Sequence, residues 1–476
     1  MAGRFQEKKS PSTGKSPNTK KKKSGRRIGT VMLCVMLPLL CGLLFGAWMI
    51  SRLPGFAFLG KRPEQVYVPR TEPAITETEP AQTQLPTEAV TKIATATIGA
   101  AGDILMHDLV IESGFDPQTQ TYNYDDIFKW FSQSASEVDY LAANLEGTLA
   151  GAENNYSGNL VFNAPDEIVD AVKKAGFDLL LTANDHCFDK NYKGFKRTQE
   201  VIEERALDHL GTQLGKDDKT YIVRDINGIK VGMTCYTYCS GYTSAKNYII
   251  DGVYLPTEAT VRTNAFHYKD LNTFYMKLAG ELQEMNADGA EAIVVFVHWG
   301  TEYKTTPDAL QKKIAQQLCD MGVDVIVGSH SHMAQPVELL TSSTYEGHKT
   351  LCVYSTGNSV SNYSGGNTYP AHIEDSMLFT FTLAKYSSGS VMVESADVLP
   401  IWMHRYDDEQ GVRRFQILTM KDGADWKTEM GLTDELVISC QKSADRTMEI
   451  VGEGLNTANA WFTQHQKEWE TATGIQ

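Results

Sequence analysis

The feature that most constrains this chain is an uninterrupted apolar stretch close to its N-terminus. Residues 28–50 form a run of 23 uncharged, mostly apolar residues. A helix of about 20 such residues crosses the hydrocarbon core of a bilayer, so the run predicts one transmembrane anchor. A cleaved signal peptide is the alternative. Its apolar region usually has about 7–15 residues and ends at an A-x-A-like site, which does not follow here.

Charge is distributed unevenly around this stretch and predicts its orientation. Residues 1–27 contain ten Lys or Arg and one Glu, a net charge of +9, so the total of −15 leaves −24 for the remainder. The positive-inside rule then places the basic tail in the cytoplasm and everything after the span outside. We therefore expect a single-pass protein of the cell membrane with an extracellular main domain. This topology excludes nucleic-acid binding by the tail, which also lacks a folded partner domain.

Composition divides the chain into five predicted segments. The basic tail (1–27) and the anchor (28–50) are followed by residues 51–93, which are rich in Pro, Thr and Glu and predict an extended stalk. Residues 94–400 alternate short apolar runs with amphipathic helical patterns, which predicts an α/β domain with a mostly parallel or mixed sheet. Residues 401–476 predict edge strands, a final helix and a loosely attached tail of about twenty residues.

The individual elements of the main domain can also be predicted. The expected strands are ATIGAAG, DYLAANL, FDLLLTA, GIKVGMTCYTY, AIVVFVHW, VDVIVGS, TLCVYST and SMLFTFTL. Helices are expected over residues 165–175, 198–207, 271–285, 307–321 and, near the C-terminus, 433–452. Pro165 at the start of the first helix and Gly176 after its last turn are typical helix boundaries.

Six short segments place polar side chains directly after predicted strands, where open α/β sheets collect ligands. Singly, most of them can also be explained as turns or packed side chains. Together they supply the carboxylates, imidazoles and amides that suit Mn, Fe or Zn, and two such ions would activate a shared water. The candidates are Asp103, His107, Glu146, Asn184, Asp185, His186, Asp189, His298, Glu302, Tyr303, His330, His332 and Asn358.

The most specific of these segments is the H-x-H sequence at His330 and His332. Side chains alternate along an extended segment, so residues two apart point to the same side. We therefore expect both imidazoles to face one site, and we predict that both bind metal.

The residues of the six segments and their order along the chain resemble the CapA family, which is named for a component of poly-γ-glutamate capsule synthesis. The resemblance runs from about residue 95 to residue 400. The family pattern contains a Gly-Asp turn, N-L-E, N-N-H followed by Asp, H-W-G-x-E-Y, G-x-H-x-H and Y-S-x-G-N, and matching segments occur here in that order. The family is similar to calcineurin-like metallophosphoesterases, which implies a sandwich of two β-sheets flanked by helices and a site for two metals.

Carried over by position, the resemblance implies roles for individual residues. The implied metal ligands are Asp103, His107, Glu146, Asp185, His298, His330 and His332. His186 is implied as a catalytic proton donor together with Asn184, and Glu302, Tyr303 and Asn358 as substrate contacts. The chain departs from the pattern at Asp185, where the family usually has Asn. It also lacks the D-x-H of the phosphoesterases, so His107 is the candidate for that position at the longer D-x-x-x-H spacing.

The resemblance implies a metal-dependent hydrolase that acts on a cell-envelope polymer, and it leaves open whether an amide or a phosphoester is cleaved. A negative body repels a polyanion, although salt screens this effect beyond about 10 Å. The alternative is a non-catalytic subunit that binds nascent anionic polymer beside a capsule synthase or exporter in the membrane. The intact ligand segments favour the enzyme.

Overall fold

A computed structural model describes residues 90–366, 368–419 and 426–473. The predicted basic tail, the membrane anchor and nearly all of the stalk lie outside these residues. Among the helices of the described ranges, none combines the length and the apolar character that a membrane span needs. What the structure describes is therefore the predicted main domain and the segment that follows it.

The first of two large sheets is mixed and has seven strands. Across the sheet these are Arg413–Thr419, Val391–Asp407, Asp375–Tyr386, Lys92–Ala100, Tyr140–Asn144, Leu179–Leu181 and Asp208–Leu210. The last four are parallel, and Lys92–Ala100 pairs antiparallel with Asp375–Tyr386. The predicted domain boundary at residue 400 lies inside the strand Val391–Asp407. The carboxyl ends of three predicted strands thus share one edge of the sheet.

The second large sheet has a parallel centre with antiparallel edges. Its strands, in order, are Tyr221–Ile226, Ile229–Cys239, Ala292–His298, Val325–Ser329, Lys349–Val353 and Val337–Thr341, with Ala265–His267 pairing beside Ile229–Cys239. All seven residues of Ala292–His298 are buried. A continuous apolar strand of this kind is typical of a parallel sheet that is covered on both faces.

The two sheets pack face to face, and helices cover their outer faces. Ile98 and Ala142 of the first sheet and Val294, Phe296 and Val327 of the second belong to one buried cluster between them. Two further clusters join the outer faces to the helices. This agrees with the two-sheet α/β sandwich that the resemblance implied.

Ten α-helices, one 3₁₀ helix at Ala152–Asn154 and nine short strands complete the described part of the chain. The helices are Asp108–Ser113, Asp125–Phe128, Phe131–Ala135, Glu167–Lys174, Asn191–Glu204, Thr257–Thr260, Leu271–Ala287, Ala309–Asp320, Trp426–Glu429 and Asp434–Thr473. The short strands are Asp103–Ile104, Phe115–Asp116, Thr121–Tyr122, Ser157–Asn159, Val161–Asn163, Gly241–Tyr242, Tyr248–Ile250, Val253–Tyr254 and Asn358–Val360. All four helices predicted in the main domain are present, with shifted ends.

The helix Ala309–Asp320 shows why the start of a helix could be predicted from the sequence. The Asp308 side chain accepts hydrogen bonds from the backbone N–H groups of Leu310 and Gln311, and Gln311 accepts one in return from the Asp308 backbone. This capping box satisfies N–H groups that a helix start leaves unpaired. Gln311 also donates to Gln335 at 2.9 Å, which ties the helix to the segment after His332.

The C-terminal helix is longer than the sequence predicted. It covers Asp434–Thr473, whereas the expected helix ended near residue 452, so the segment expected to be a loose tail is helical through Thr473. Val451 and Phe462 enter the core between the sheets, and the Arg446 guanidinium binds both carboxylate oxygens of Asp375 at 2.6 and 2.8 Å. Tertiary packing thus holds a helix whose sequence is largely polar.

Candidate metal centre

Loops that follow parallel strands of both sheets bring six candidate ligands together. We call Asp185, His298 and His330 the first ligand group. The second ligand group consists of Asp103, Glu146 and His332. Within each group, one ligand atom from each residue lies within 4.8 Å of the others. All six side chains are buried, with exposures between 0% and 5%.

In the first ligand group a carboxylate lies between two imidazoles. Asp185 Oδ1 is 3.0 Å from His298 Nε2, and Asp185 Oδ2 is 3.3 Å from His330 Nδ1. Burial acts to raise the pKa of Asp185, but His330 and His298 outweigh it and hold this pKa well below its usual value. Burial also lowers the pKa of His330 to about 4. Ser329 Oγ lies 2.8 Å from His298 Nδ1, which leaves Nε2 facing Asp185.

In the second ligand group two carboxylates share one imidazole at longer range. His332 Nδ1 is 3.7 Å from Asp103 Oδ2, and His332 Nε2 is 3.9 Å from Glu146 Oε1. The Asn144 amide donates to both carboxylates, at 2.9 Å to Asp103 and 3.1 Å to Glu146. Burial raises the pKa of Asp103 to about 6 and that of Glu146 well above its usual value. Asn358 Oδ1 lies 3.0 Å from His332 Nδ1 and orients the ring.

The carboxylates and imidazoles of these groups fit divalent cations. Glu146 Oε1 is buried and has no hydrogen-bond partner within the described ranges. A buried carboxylate oxygen without a partner is costly, and a cation would compensate it. Mixed carboxylate and imidazole donors suit Mn, Fe or Zn. Glu146, Asp185 and His186 form a third such combination, so the two groups are close neighbours.

The two histidines of the H-x-H sequence reach the site in a different way from the one predicted. Their φ angles are +89° at His330 and +57° at His332, so the segment is a turn and the expected extended geometry is wrong. The strand ends at Ser329, and the His330 N–H contacts Asp103 Oδ2 at 3.4 Å. Side chains with positive φ are uncommon and concentrate in functional sites. Each imidazole consequently serves a different ligand group.

Two glycines allow the backbone to come close enough to form the site. A Cβ at Gly328 would lie 1.9 Å from the carbonyl oxygen of Tyr354, and a Cβ at Gly102 would lie 2.2 Å from that of Gly357. Any side chain at these positions would collide with backbone. The close approach at Gly102 places Asp103 beside Asn358 in a short parallel pair.

His186 lies at the open side of the ligand groups and is partly exposed. Its Nδ1 is 2.9 Å from Asp189 Oδ2, which also accepts a hydrogen bond from the Phe162 backbone N–H at 2.6 Å. Burial acts to lower the pKa of His186, but the bond to Asp189 and the charges of Asp185 and Asp189 raise it to about 9. The imidazole is therefore protonated at neutral pH, as a proton donor must be.

Asn184 is buried behind the carboxylates. Its amide donates to Asn144 Oδ1 at 3.0 Å and to the carbonyl oxygen of Leu145 at 2.8 Å. It orients Asn144, which in turn holds Asp103 and Glu146. Its own Oδ1 is buried and lacks a hydrogen-bond partner among the described residues, so it also remains available to a ligand.

His107 does not join the ligand groups found in the described residues. Its Nδ1 accepts a hydrogen bond from the Asn362 backbone N–H at 3.2 Å. The ring packs against Phe162 and Tyr363, with centroid distances of 5.4 and 4.6 Å, and burial lowers its pKa to about 4. Phe162 also contacts His186 at 4.7 Å, so His107 borders the site without meeting the carboxylates.

The predicted substrate contacts differ in their surroundings. Glu302 is exposed, and Tyr303 is half-buried with its ring 5.7 Å from that of His332. Asn358 is buried and supports His332. Two supporting residues were not predicted as functional: Asn144, which the N-L-E segment contains, and Ser329, for which the sequence offers no signal beyond its position before His330.

The fold and the site define an α/β sandwich with buried groups of carboxylates and imidazoles that could hold divalent metal ions. A family described as bacterial capsule synthesis protein PGA_cap matches residues 97–363, and the chain belongs to this family, as its motifs indicated. The capsule biosynthesis protein CapA of Bacillus anthracis is 28% identical over 271 residues, which are 56% of this chain and 59% of that protein. This chain thus spans less than two thirds of that relative.

Other similarities vary in extent. The PGA biosynthesis protein CapA of Bacillus subtilis (strain 168) is 26% identical over 339 residues, 69% of this chain and 79% of that protein. A probable polyglutamine synthesis accessory protein of Mycobacterium tuberculosis is 29% identical over 114 residues, 24% of this chain and 27% of that protein. The match to the crystal structure of TT1561 of Thermus thermophilus covers 60% of this chain and 93% of that chain, with 9% identity and a TM-score of 0.32.

Proposed function

We propose that this protein is a hydrolase of cell-envelope polymer metabolism that uses two divalent metal ions. The observation that carries the proposal is the pair of adjacent, buried ligand groups, one of which holds Glu146 Oε1 without a hydrogen-bond partner in the described residues. Bound divalent ions would supply an activated water and stabilise negative charge on the attacked centre. The names of the Bacillus relatives, which refer to capsule and PGA biosynthesis, support a role in making such a polymer.

The side chains around the ligand groups would donate a proton, position the carboxylates and contact the substrate. His186, protonated and held by Asp189, donates a proton to the leaving group. Asn144 fixes the two carboxylates of the second ligand group, and Glu302 and Tyr303 meet the substrate at the open side. Both amide and phosphoester cleavage need an attacking water and a proton for the leaving group, so this arrangement serves either bond.

We further propose that the hydrolase acts outside the cell, anchored by the apolar stretch at residues 28–50. The basic residues before this stretch support that orientation. The same topology would bring the domain beside a capsule synthase or exporter in the membrane, where an anionic polymer emerges.

The alternative is a polymer-binding assembly subunit without catalysis. The name of the Mycobacterium relative, which describes an accessory protein, supports this alternative.

Metal content distinguishes the two proposals. The full-length chain, purified in detergent and reconstituted with Mn, Fe or Zn, is compared by mass spectrometry with a His330→Ala, His332→Ala double variant and with the control His348→Ala. We expect about two equivalents in the parent and the control and a loss in the double variant. No bound metal with any of the three ions would overturn the hydrolase and favour the assembly subunit.

His186→Gln tests the proton donor. We expect kcat to fall by about 10²–10⁴-fold, the usual contribution of a general acid, while both metal equivalents remain. Hydrolysis of a methyl phosphodiester and of γ-glutamyl p-nitroanilide measures the two candidate bonds, because both leaving groups need a proton, and His465→Gln on the C-terminal helix is the control. Unchanged turnover of the substrate that is cleaved would remove His186 from the mechanism.

A further inference from the structure

The C-terminal helix Asp434–Thr473 begins beyond residues 97–363, the part of the chain that matches the capsule synthesis family. It contacts the first sheet through Arg446, whose guanidinium binds both carboxylate oxygens of Asp375, at 2.6 and 2.8 Å. On the same helix, Ser443 donates to Asp375 Oδ1 at 2.7 Å. A two-pronged pair of arginine and carboxylate fixes orientation as well as distance. The helix therefore holds the Asp375 side chain in one place.

This contact is buried at its carboxylate end. Asp375 is 5% exposed and Ser443 is fully buried. Asp375 is also the first residue of the strand Asp375–Tyr386. Removing one partner of a buried ion pair leaves an uncompensated charge, so the remaining partner shifts towards water. The position of the strand start therefore depends on Arg446.

The start of this strand packs against the turn that contains Gly357. A Cβ at Gly357 would lie 3.2 Å from the carbonyl oxygen of Asp375 and 2.9 Å from the Cβ of Ser376. The Met377 N–H donates to the carbonyl oxygen of Thr356 at 3.1 Å. The backbone of the turn thus rests directly on the strand start that the C-terminal helix holds.

The same turn supports two members of the second ligand group. The carbonyl oxygen of Gly357 accepts a hydrogen bond from the Asp103 N–H at 2.9 Å. The next residue, Asn358, places its Oδ1 3.0 Å from His332 Nδ1. A displacement of the turn would therefore move the backbone of one ligand and the ring of another.

The first ligand group is held by other elements. His298 is the last residue of the strand Ala292–His298, and Ser329 Oγ orients its ring at 2.8 Å. Asp185 follows the strand Leu179–Leu181. In the part of the chain that the structure describes, neither His298 nor Asp185 makes a hydrogen bond to the turn at Gly357.

We propose that Arg446 is a positioning residue for the second ligand group. It acts through Asp375 and the turn at Gly357, which fix the Asp103 backbone and the His332 ring. Loss of Arg446 should loosen the second ligand group and leave the first unchanged. The proposal rests on the metal-binding function above and assigns the C-terminal helix a part in it.

Hydrogen exchange in EDTA tests this path without bound metal. The full-length chain in detergent is compared with Arg446→Met, and mass spectrometry follows the exchange of peptide segments. We expect exchange to become roughly tenfold faster in residues 101–106 and 354–360, because local opening there costs less free energy. Residues 294–299, which belong to the first ligand group's strand, should keep their exchange rate.

Two further variants separate positioning from a general loss of stability. Arg446→Lys keeps the positive charge and should restore part of the protection. Asn459→Ala is the matched control on the same helix. The Asn459 amide accepts from the Ala396 N–H at 2.9 Å and donates to the Ala396 carbonyl oxygen at 2.8 Å, so its loss removes a contact with the same sheet that does not involve Asp375. It should leave residues 101–106 unchanged.

Metal affinities give a second readout. Competition with a chromophoric chelator should show that Arg446→Met weakens the binding of one ion by roughly tenfold and leaves the other unchanged. Faster exchange confined to the second ligand group supports the proposal even if the parent binds no metal, a result that would overturn only the hydrolase. Unchanged exchange, faster exchange in both ligand groups, or equal effects of Arg446→Met and Asn459→Ala would overturn the proposal. In a parent with two bound ions, equal affinities in Arg446→Met and the parent would overturn it too.

Discussion

The two ligand groups contain the same kinds of side chain, but their charges are balanced differently. In the first ligand group one carboxylate has two imidazoles within 3.3 Å, and its pKa lies well below the usual value although burial opposes this. In the second ligand group two buried carboxylates share one imidazole at 3.7 and 3.9 Å, and burial raises both carboxyl pKa values. The first group thus has more imidazoles than carboxylates, whereas the second has more carboxylates than imidazoles, and burial disfavours the charged form of both carboxylates.

The difference shows what a cation would contribute at each position. Asp185 Oδ1 already pairs with His298 Nε2 at 3.0 Å, so a metal there replaces an existing hydrogen bond, and it would also compensate His330 Nδ1, which has no hydrogen-bond partner among the described residues. Glu146 Oε1 has no hydrogen-bond partner in the described part of the chain. A metal there would remove the energetic cost of burying a carboxylate oxygen without a partner. Metal binding should therefore add more folding free energy at the second ligand group than at the first.

The largest expected effect is on turnover and comes from removing either carboxylate. Asp185→Ala and Glu146→Ala should each reduce the metal content from about two equivalents to about one. Each should lower turnover by roughly 1000-fold, because a catalytic metal supplies several kcal/mol of charge stabilisation. Mass spectrometry and the chromogenic assay measure both quantities. Full metal occupancy in either variant would contradict the assignment of that carboxylate as a ligand.

The stability of the metal-free protein gives the sharpest contrast between the groups. In EDTA at neutral pH, Asp185→Asn should lower the free energy of unfolding by about 1.5–3 kcal/mol, the contribution of hydrogen bonds to a charged group. Glu146→Gln should leave it unchanged or raise it, since the substitution removes an uncompensated buried charge. Urea unfolding followed by circular dichroism measures both. Equal losses of unfolding free energy in the two variants would show that charge is balanced in the same way in both ligand groups.

The smallest expected effects come from the residues that orient the histidines. Ser329→Ala frees His298 in the first ligand group, and Asn358→Ala frees His332 in the second. Each substitution should weaken the affinity for one of the two metal ions by about 10–100-fold and leave the affinity for the other unchanged. The reason is that such hydrogen-bond partners fix the orientation of a metal ligand. Competition with a chromophoric chelator resolves the two affinities. If both variants weakened the binding of the same ion, the assignment of His298 and His332 to different ligand groups would be wrong.

Much of the fold could be predicted from local patterns. Buried parallel strands such as Ala292–His298 are continuous apolar runs, and the helix Ala309–Asp320 begins at a capping residue. The C-terminal helix was predicted too short because most of its residues are polar. The few side chains that enter the core give no clear periodic pattern in the sequence. Its length depends on contacts with strands that lie far away in the chain, such as the pair of Arg446 and Asp375.

The candidate site was predictable in composition but not in arrangement. The carboxylates and histidines were identified because they follow apolar strands. Their partners were not, since Asp185 and His298 are 113 residues apart and only the packing of the two sheets brings them within 3.0 Å. His107 shows the same limit, because its spacing after Asp103 resembled a ligand pattern while the structure packs it between Phe162 and Tyr363.

The amino-acid sequence by itself determined the order of strands and helices and the chemical types available at the strand ends, because these follow from periodicity and from neighbours along the chain. Only the tertiary structure decided which carboxylate meets which imidazole, and how the two ligand groups differ in charge. It also decided that Tyr303 and Tyr363, 60 residues apart in the chain, contact each other beside the site. Such properties depend on burial and on distances between separate loops, which local sequence does not encode.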